Sequence, residues 1–584
     1  MFHLLVSLSA IATGVGSVIE ENLGGLLEIS FTTCREPVHK PTSRMTVVFA
    51  VAVGLLALLY ICTRNDGRLG VRKGEKPLRK LPLIGDLHDS PIDKPLANWD
   101  SWAKRHGAIA VRRLFGIVPI IVLNSAEAVT ELFSRRSQWY SNRPASVTME
   151  MITGAEPGQS RFTLMHDYDN HLKLHHRMLA PSLGAMAAPQ YQPLMELESK
   201  QLLFDLLDLT RRSSSGTPIS TNTVYPYLER TQSSIILALH YGLRIPRPQE
   251  PILHELVDIQ AQVTHLAANP ALPDLIPVLR HLPVWMSPWK RFADRLYATQ
   301  VDLYMRLFHH GRHAVGWNAT KQGLSAASKY APRTSPVPDL DLAFTLATSV
   351  LGGMELLPRQ LLWLFVAALH RPAIFVQARA VLDTVVGRDR LPQFSDRPRL
   401  ALIDAIVHEL LRWRPISPGS IPRRADRNDE YQGVTIKKNV AIMANAWAIG
   451  RDEEVFDSAL GDVQDFIPER WLRSDPGGET RLHADLPLPV FGQGRRMCQG
   501  KRVATDGAFM QVAHLLWAYD IGAASDTTVD PWEMTVVGFM TMPTDCKFHL
   551  RPRGDWVVEV IEKEWALADK SLDRVMGSAH DVEK

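Results

Sequence analysis

Apolar positions are arranged in two ways along this chain. Near the N-terminus they form one unbroken run, residues 46–62 (TVVFAVAVGLLALLYIC), with no charged side chain. A helix of that length reaches about 25 Å, the short end of a bilayer span. Beyond residue 87 the apolar positions become periodic. Residues 301–314, 340–370, 372–386 and 401–413 carry the spacing of amphipathic helices. Residues 117–123 (IVPIIVL) read as one strand of a hairpin, and 434–443 as a short β stretch after the turn-type sequence DEYQG at 429–433. No repeat or low-complexity linker divides residues 87–560. The pattern predicts one large, mainly α domain with a minor β portion, preceded by one N-terminal transmembrane helix.

Charge orients that helix. Residues 64–80 hold Arg64, Arg68, Arg72, Lys73, Lys76, Arg79 and Lys80 against two acidic residues. Positive flanks stay on the cytosolic side, so the C-terminal bulk is expected there. Lys76-Pro77 and the LPLIG stretch at 81–85 read as a stiff connector, because proline fixes φ and lacks a donor. The expected organisation is an N-terminal extension at 1–44, an anchor at 45–63, a basic, proline-containing linker at 64–86 and a catalytic domain at 87–584. Residues 4–18 are weakly apolar but lack a basic leading region, and Met45 stands directly before the apolar run.

Composition changes the picture little. The chain has 584 residues, 65 Lys+Arg against 62 Asp+Glu and a formal charge of +3, which excludes a strongly basic nucleic-acid binder on bulk charge. Cys34, Cys62, Cys498 and Cys546 form neither a CxxC pair nor a zinc pattern.

Position singles out one cysteine. Phe491-Gly492-Gln493-Gly494-Arg495-Arg496-Met497-Cys498-Gln499-Gly500 matches F-x-x-G-x-R-x-C-x-G. A lone thiolate can be the proximal ligand of haem iron. Gly494 permits a turn that a side chain would resist, aiming backbone N–H groups at the sulfur. Gly500 lets a helix starting near Lys501 approach closely. Arg496 offers a fork of donors to a propionate, and Phe491 shields the sulfur from water. The alternative is a buried structural cysteine in a glycine-rich turn.

This segment resembles the haem-binding loop of the cytochromes P-450, and the resemblance extends over nearly all of residues 76–555. It implies heme b with Cys498 as the axial metal ligand. Glu409-Leu410-Leu411-Arg412 is similar to the family's E-x-x-R, and Pro468-Glu469-Arg470-Trp471 to its P-E-R-F/W. The resemblance implies a structural triad of Glu409, Arg412 and Arg470. Arg423 stands where the family places a basic residue against a propionate, though beside Arg424 it also reads as a solvated arginine. Tyr140-Ser141-Asn142-Arg143-Pro144 resembles the segment that precedes the loop over the substrate pocket.

Two departures stand out. The family's W-x-x-x-R becomes Leu172 and His176, with Arg177 one residue on. A histidine still donates to a propionate, but its charge depends on pH. His171 and His175, four residues apart, also permit a metal reading that lacks a third ligand. The second departure is Gly352-Gly353-Met354-Glu355-Leu356-Leu357-Pro358, set against the family's A/G-G-x-D/E-T-T. Leu356 replaces the threonine that serves dioxygen and its protonating water. Gly352 and Gly353 leave room beside the helix, or else serve a tight helix crossing. Pro358 cannot donate to the carbonyl of Met354, so the helix is expected to kink. A water site beside Gly353 and Glu355 would then let Glu355 relay protons. Gly353, Glu355 and Leu356 are the distal catalytic candidates.

The resemblance implies a monooxygenase that takes electrons from NADPH-cytochrome P-450 reductase and inserts one atom of O2 into an apolar small molecule. Its wording is most like fungal secondary-metabolism members. Single-pass membrane residence, in contact with lipid in the endoplasmic reticulum, is implied as well, and no nucleic-acid partner. Arg495, Lys501, Arg502 and Lys173 are candidates for the reductase-facing patch, and residues 417–421 and 539–543 for the pocket lining. Leu356 keeps a second reading open: a haem-thiolate protein with impaired O2 activation, driven by peroxide, rearranging its substrate, or only binding haem.

Overall fold

The computed structural model describes residues 95–577 apart from 115–117, 157–158, 213–216, 270, 276, 333, 476 and 525–528. The expected extension, anchor and linker lie outside the described residues. The helices that matter for the site are α1 (Pro95–His106), α2 (Val147–Ile152), α3 (Asn170–Leu183), α4 (Ala188–Arg212), α5 (Thr221–Tyr241), α6 (Pro251–Ala268), α7 (Pro288–His313), α8 (Ala319–Tyr330), α9 (Asp339–Met354), α10 (Leu356–His370), α11 (Pro372–Val385), α12 (Ala401–Trp413) and α13 (Lys501–Ala518). The helical periodicity at 301–314, 372–386 and 401–413 therefore falls on α7, α11 and α12.

The β portion is small, as the pattern predicts. β1 (Ile109–Leu114) and β2 (Val118–Leu123) form the expected antiparallel hairpin. β3 (Arg423–Arg424) and β6 (Ala441–Ala444) complete a four-stranded sheet of order β1-β2-β6-β3. The predicted stretch at 434–443 divides: β4 (Asp429–Tyr431) and β5 (Val434–Ile436) make a separate hairpin, and only its end enters the main sheet. β2 runs parallel to β6, and β6 pairs Ile442 with Arg423. That register places a buried arginine at the sheet's edge. A further hairpin, β7 (Met534–Val537) and β8 (Met540–Pro543), packs against α10.

The long apolar pattern at 340–370 becomes two helices with Glu355 between them. Pro358 supplies the reason: without an N–H, and with its ring crowding the carbonyl four residues back, it cannot continue the ladder through Met354. The run Asp339–His370 is the one described segment long and apolar enough to cross a membrane, and more than half of it is buried inside the fold. It is the core helix pair. α10 packs with α11, α12 and α13 in one apolar cluster, while α9 packs with α5, α7 and α8 in another.

α12 carries the buried ion pair on which the first cluster closes. Arg412 Nε and Nη2 each donate to Glu409 at 2.6 Å. The same guanidinium donates to the carbonyls of Gly450, Val463 and Asp465 at 2.7–2.8 Å. Glu409 also accepts from the Ile467 amide at 2.7 Å and from Trp471 Nε1 at 2.9 Å. Trp471, which the expected triad did not include, is the third side chain hydrogen-bonded to Glu409. Buried Arg470 lies within electrostatic reach of Glu409 and Arg412 and donates to the carbonyls of Asp457, Gly461 and Asp462. Glu409→Ala strands a buried guanidinium and is expected to cost about 3–5 kcal/mol. Trp471→Phe removes one hydrogen bond to a charged group and should cost about 1–3 kcal/mol. Denaturant unfolding of both variants checks the order.

Candidate active site

The Cys498 loop is shaped by two glycines in the left-handed region, Gly492 at φ +67 and Gly494 at φ +64. A Cβ on Gly494 would lie 1.9 Å from the Phe133 carbonyl oxygen, so no side chain fits there. The Cys498 amide closes the loop by donating to the Phe491 carbonyl at 2.8 Å. α13 starts at Lys501, as expected, and a Cβ on Gly500 would come within 3.9 Å of the Cys498 sulfur. Burial pushes the thiol pKa up, while the Gly500 amide and the Lys501 ammonium oppose it. Yet the side chain is exposed. Both observations fit a sulfur at the floor of a recess, reachable but surrounded by protein. Phe491 is half-buried against the core cluster beside the loop.

Three arginines gather from distant segments. Arg423 is 3% exposed, stacks 3.9 Å above the Phe133 ring and donates to the Gln493 carbonyl at 2.5 Å. Arg496 donates to the carbonyls of Ser141, Thr163 and His166. Arg143 donates to those of Leu164, Ile421 and Pro422. Burial depresses all three guanidinium pKa values, Arg423 to about 9 and Arg496 to about 10, with Arg143 well below its ordinary value. Repulsion from Arg496 adds to the depression of both Arg143 and Arg423. Nearby Asp167 partly offsets this, but it is shared with Arg424 at 2.5 Å. A buried positive cluster of this kind, bonded mainly to carbonyls, is suited to an anionic group.

His176 faces the same cluster: burial and then Arg496 depress its pKa to about 4, so it is neutral near pH 7. Arg177 does not substitute for the family's arginine, because it is exposed and lies over Tyr330. The metal reading of His171 and His175 gains no third ligand. Their rings meet at a tilt of 36° with centroids 4.1 Å apart, His175 Nδ1 is engaged by Thr345 Oγ1, and the described residues contain no metal-holding group of three.

On α9 the two glycines part company. A Cβ on Gly353 would lie 2.8 Å from Ile236 Cδ1 on α5, so Gly353 serves a tight helix crossing. Gly352 is exposed and a Cβ there would meet nothing within 4 Å. Of the two readings open for this glycine pair, room beside the helix holds for Gly352 and a tight helix crossing for Gly353. The expected water site beside Gly353 changes: its carbonyl accepts from Gln232 Nε2 at 3.1 Å. Glu355 is bound through Oε1 by Arg359 at 2.6 and 3.1 Å, while Glu355 Oε2 is buried without a partner. α13 ties this side to the sulfur: two turns beyond Cys498, Gly507 packs on Leu357, beside Leu356.

Arg143, Gln232 and Arg359 were not assigned from sequence. Arg143 lies in the quoted YSNRP segment, which was the available signal. Gln232 has none, since its partner Gly353 is 121 residues away, whereas Arg359 stands four residues after Glu355, an i,i+4 acid–base spacing that was available.

Comparison with known proteins identifies the group that fits this recess. The cytochrome P-450 family model matches residues 76–550. The chain belongs to that family, whose cofactor is haem with thiolate-held iron. It is 30% identical over 542 residues to the cytochrome P-450 monooxygenase aneD of Aspergillus aculeatus, covering 91% of this chain and 97% of the relative. It is 30% identical over 566 residues to the echilunin cytochrome P-450 monooxygenase of Aspergillus ruber, covering 95% and 98%. A zebrafish cytochrome P-450 solved with progesterone superposes with a TM-score of 0.64 at 22% identity, over 79% of this chain and 99% of that one. The likeness to fungal members holds, and the chain is a cytochrome P-450 monooxygenase.

The donor set fits haem. The exposed sulfur suits the iron, and the arginine cluster suits the propionates. His176→Arg, which restores the family's charge, is expected to slow haem loss about tenfold, and Arg423→Leu to speed it by a similar factor. Transfer of haem to apomyoglobin, followed by absorbance, measures both.

Proposed function

We propose that this protein is a membrane-anchored haem-thiolate monooxygenase that inserts one atom of O2 into an apolar small molecule of fungal secondary metabolism, with electrons from NADPH-cytochrome P-450 reductase. One observation carries the reading: an exposed cysteine in a glycine-shaped loop that also holds Arg496, one of three mutually repelling arginines. Cys498 would hold the haem iron through its thiolate. Arg143, Arg423, Arg496 and neutral His176 would hold its propionates. Gly494 and Gly500 give the loop and α13 their close approach, and Phe491 limits water at the sulfur. When bound, haem supplies the activation of dioxygen.

The protein's own residues do the rest. Gly352 leaves space on the distal face, and Leu356 keeps that face apolar. Arg359 fixes one carboxylate oxygen of Glu355 and leaves the other unpaired, which suits a group that takes up and gives up a proton at Oε2. Residues 417–421 and 539–543 border the pocket. Thr541 of β8 donates from its amide to the Ile416 carbonyl at 2.8 Å, which brings the two segments together. On the cysteine side, exposed Arg495 and Lys173 flank Tyr168 at 5.3 and 5.5 Å, and with Lys501 they offer a basic face to an acidic flavoprotein. Arg502 contributes less, being paired with Asp506 at 2.9 Å. The apolar run at 46–62 and the basic cluster after it support residence in the endoplasmic reticulum membrane, with the catalytic domain cytosolic.

Leu356 supports the second reading, a haem-thiolate protein with impaired O2 activation, driven by peroxide, rearranging its substrate, or only binding haem. Co-expression with a fungal reductase and untargeted product analysis separate the two. The monooxygenase reading expects a product heavier by one oxygen that depends on NADPH; the alternative expects product from peroxide alone, or none. Glu355→Gln is expected to lower product per NADPH about tenfold or more. Leu356→Thr is expected to raise it.

A further inference from the structure

Arg414 is a buried charge outside the site described above. It follows the last residue of α12 and is 1% exposed. Four tryptophan rings lie close to its guanidinium, with centroids at 4.1 Å for Trp413, 4.8 Å for Trp532, 5.4 Å for Trp447 and 5.8 Å for Trp363. Nε donates to the Pro531 carbonyl at 2.8 Å and Nη1 to the Trp413 carbonyl at 2.9 Å. Burial, and then repulsion from Arg412, lower its pKa to about 9 against the attraction of Asp530, so it stays protonated near pH 7. Burying a cation is costly, and the cost points to a task.

The neighbouring turn shows what that task is. Every backbone polar group of residues 414–416 is occupied. The Arg414 amide donates to the Leu410 carbonyl at 3.2 Å. Gln360 of α10 donates to the Arg414 carbonyl at 2.9 Å and accepts from the Ile416 amide at 3.0 Å. Thr541 of β8 donates its hydroxyl to the Pro415 carbonyl at 3.1 Å and its amide to the Ile416 carbonyl at 2.8 Å. α10, α12 and β8 therefore meet at this turn. The chain enters β7 through Pro531 and Trp532, and Arg414 engages both, one by hydrogen bond and one by its ring. A guanidinium suits the place, because its face stacks on rings while its edge donates in fixed directions.

We propose that Arg414 is a positioning residue: from outside the pocket it fixes the β7–β8 hairpin, and so sets the wall at residues 539–543 against which a bulky apolar substrate binds. This rests on the pocket assigned above. Removing the guanidinium strands little. The Trp413 carbonyl keeps Arg451 Nη2 at 2.8 Å, and Asp530 is exposed to water. Exchange of a buried charge for an apolar side chain of similar volume is often neutral in stability. The loss falls instead on the order of the hairpin, which a bulky ligand must restore out of its own binding energy. A ligand too small to reach the hairpin is spared that cost.

The test uses the full-length, haem-loaded protein, with Kd read by absorbance for clotrimazole as a bulky probe and imidazole as a small one. In Arg414→Met the clotrimazole Kd is expected to rise about tenfold, with that of imidazole within about twofold. Trp532→Leu removes the half-buried ring at the hairpin's entry and is expected to show the same selective loss; it decides the proposal if Arg414→Met does not retain haem. Amide exchange at 534–543 should rise in both variants while that of α12 stays unchanged. A wild-type clotrimazole Kd, equal losses for both probes, or exchange that rises in α12 as much as in the hairpin overturns the proposal. Failure of imidazole to shift the wild-type spectrum counts against the haem assignment instead, and the exchange measurement then decides the role of Arg414.

Discussion

The close approach of Gly494 to the Phe133 carbonyl is the contact on which the site depends. It excludes every side chain at position 494, and the positive φ there turns the backbone toward the sulfur. The same Phe133 ring carries Arg423, whose guanidinium grips the neighbouring Gln493 carbonyl. One aromatic residue from the segment after β2 therefore positions both the cysteine loop and an arginine of the anion site. The sheet makes this possible, because β6 lies between β2 and β3 and fixes the separation of Phe133 from Arg423.

Charge then explains why the recess is suited to a dianionic cofactor. Three guanidinium groups are buried near one another, and carbonyl oxygens, with Asp167 nearby, only partly balance them. Concentrating positive charge is unfavourable in the protein alone and favourable once carboxylates arrive. His176 adds a donor without adding to the repulsion, since burial and Arg496 keep it neutral. The buried Glu409–Arg412 pair serves the opposite purpose: fully satisfied internally, it needs no ligand and holds α12 to the segment at 463–471.

The hydrophobic pattern made α7, α11, α12 and the β1–β2 hairpin legible, because burial on one face leaves a periodic trace. The decapeptide ending at Gly500 made the cysteine loop legible, because each of its fixed residues answers a local demand. What escaped were choices between adjacent residues. Gly352 rather than Gly353 faces open space, and it is Trp471, next to Arg470, that hydrogen-bonds Glu409. Neighbours on a helical turn point roughly 100–120° apart, so only the packed partner decides which is used. Arg143 escaped for another reason: its place beside Arg423 and Arg496 joins three segments far apart in sequence. The break at Glu355 followed from Pro358, but the capture of the Gly353 carbonyl by Gln232 required α5 to be in place. The anchor at 46–62 remains a reading of sequence, outside the described residues.

The central claim is that the Cys498 sulfur is the axial ligand of the bound haem. The absorbance of the dithionite-reduced, carbon monoxide-bound protein tests it most directly, because a thiolate opposite carbon monoxide donates charge to the iron and moves the Soret band to long wavelength. The account predicts that band in the wild-type protein and its replacement by the shorter-wavelength band of nitrogen ligation in Cys498→His. A wild-type spectrum with the shorter-wavelength band, or a long-wavelength band that survives in Cys498→His, would contradict it.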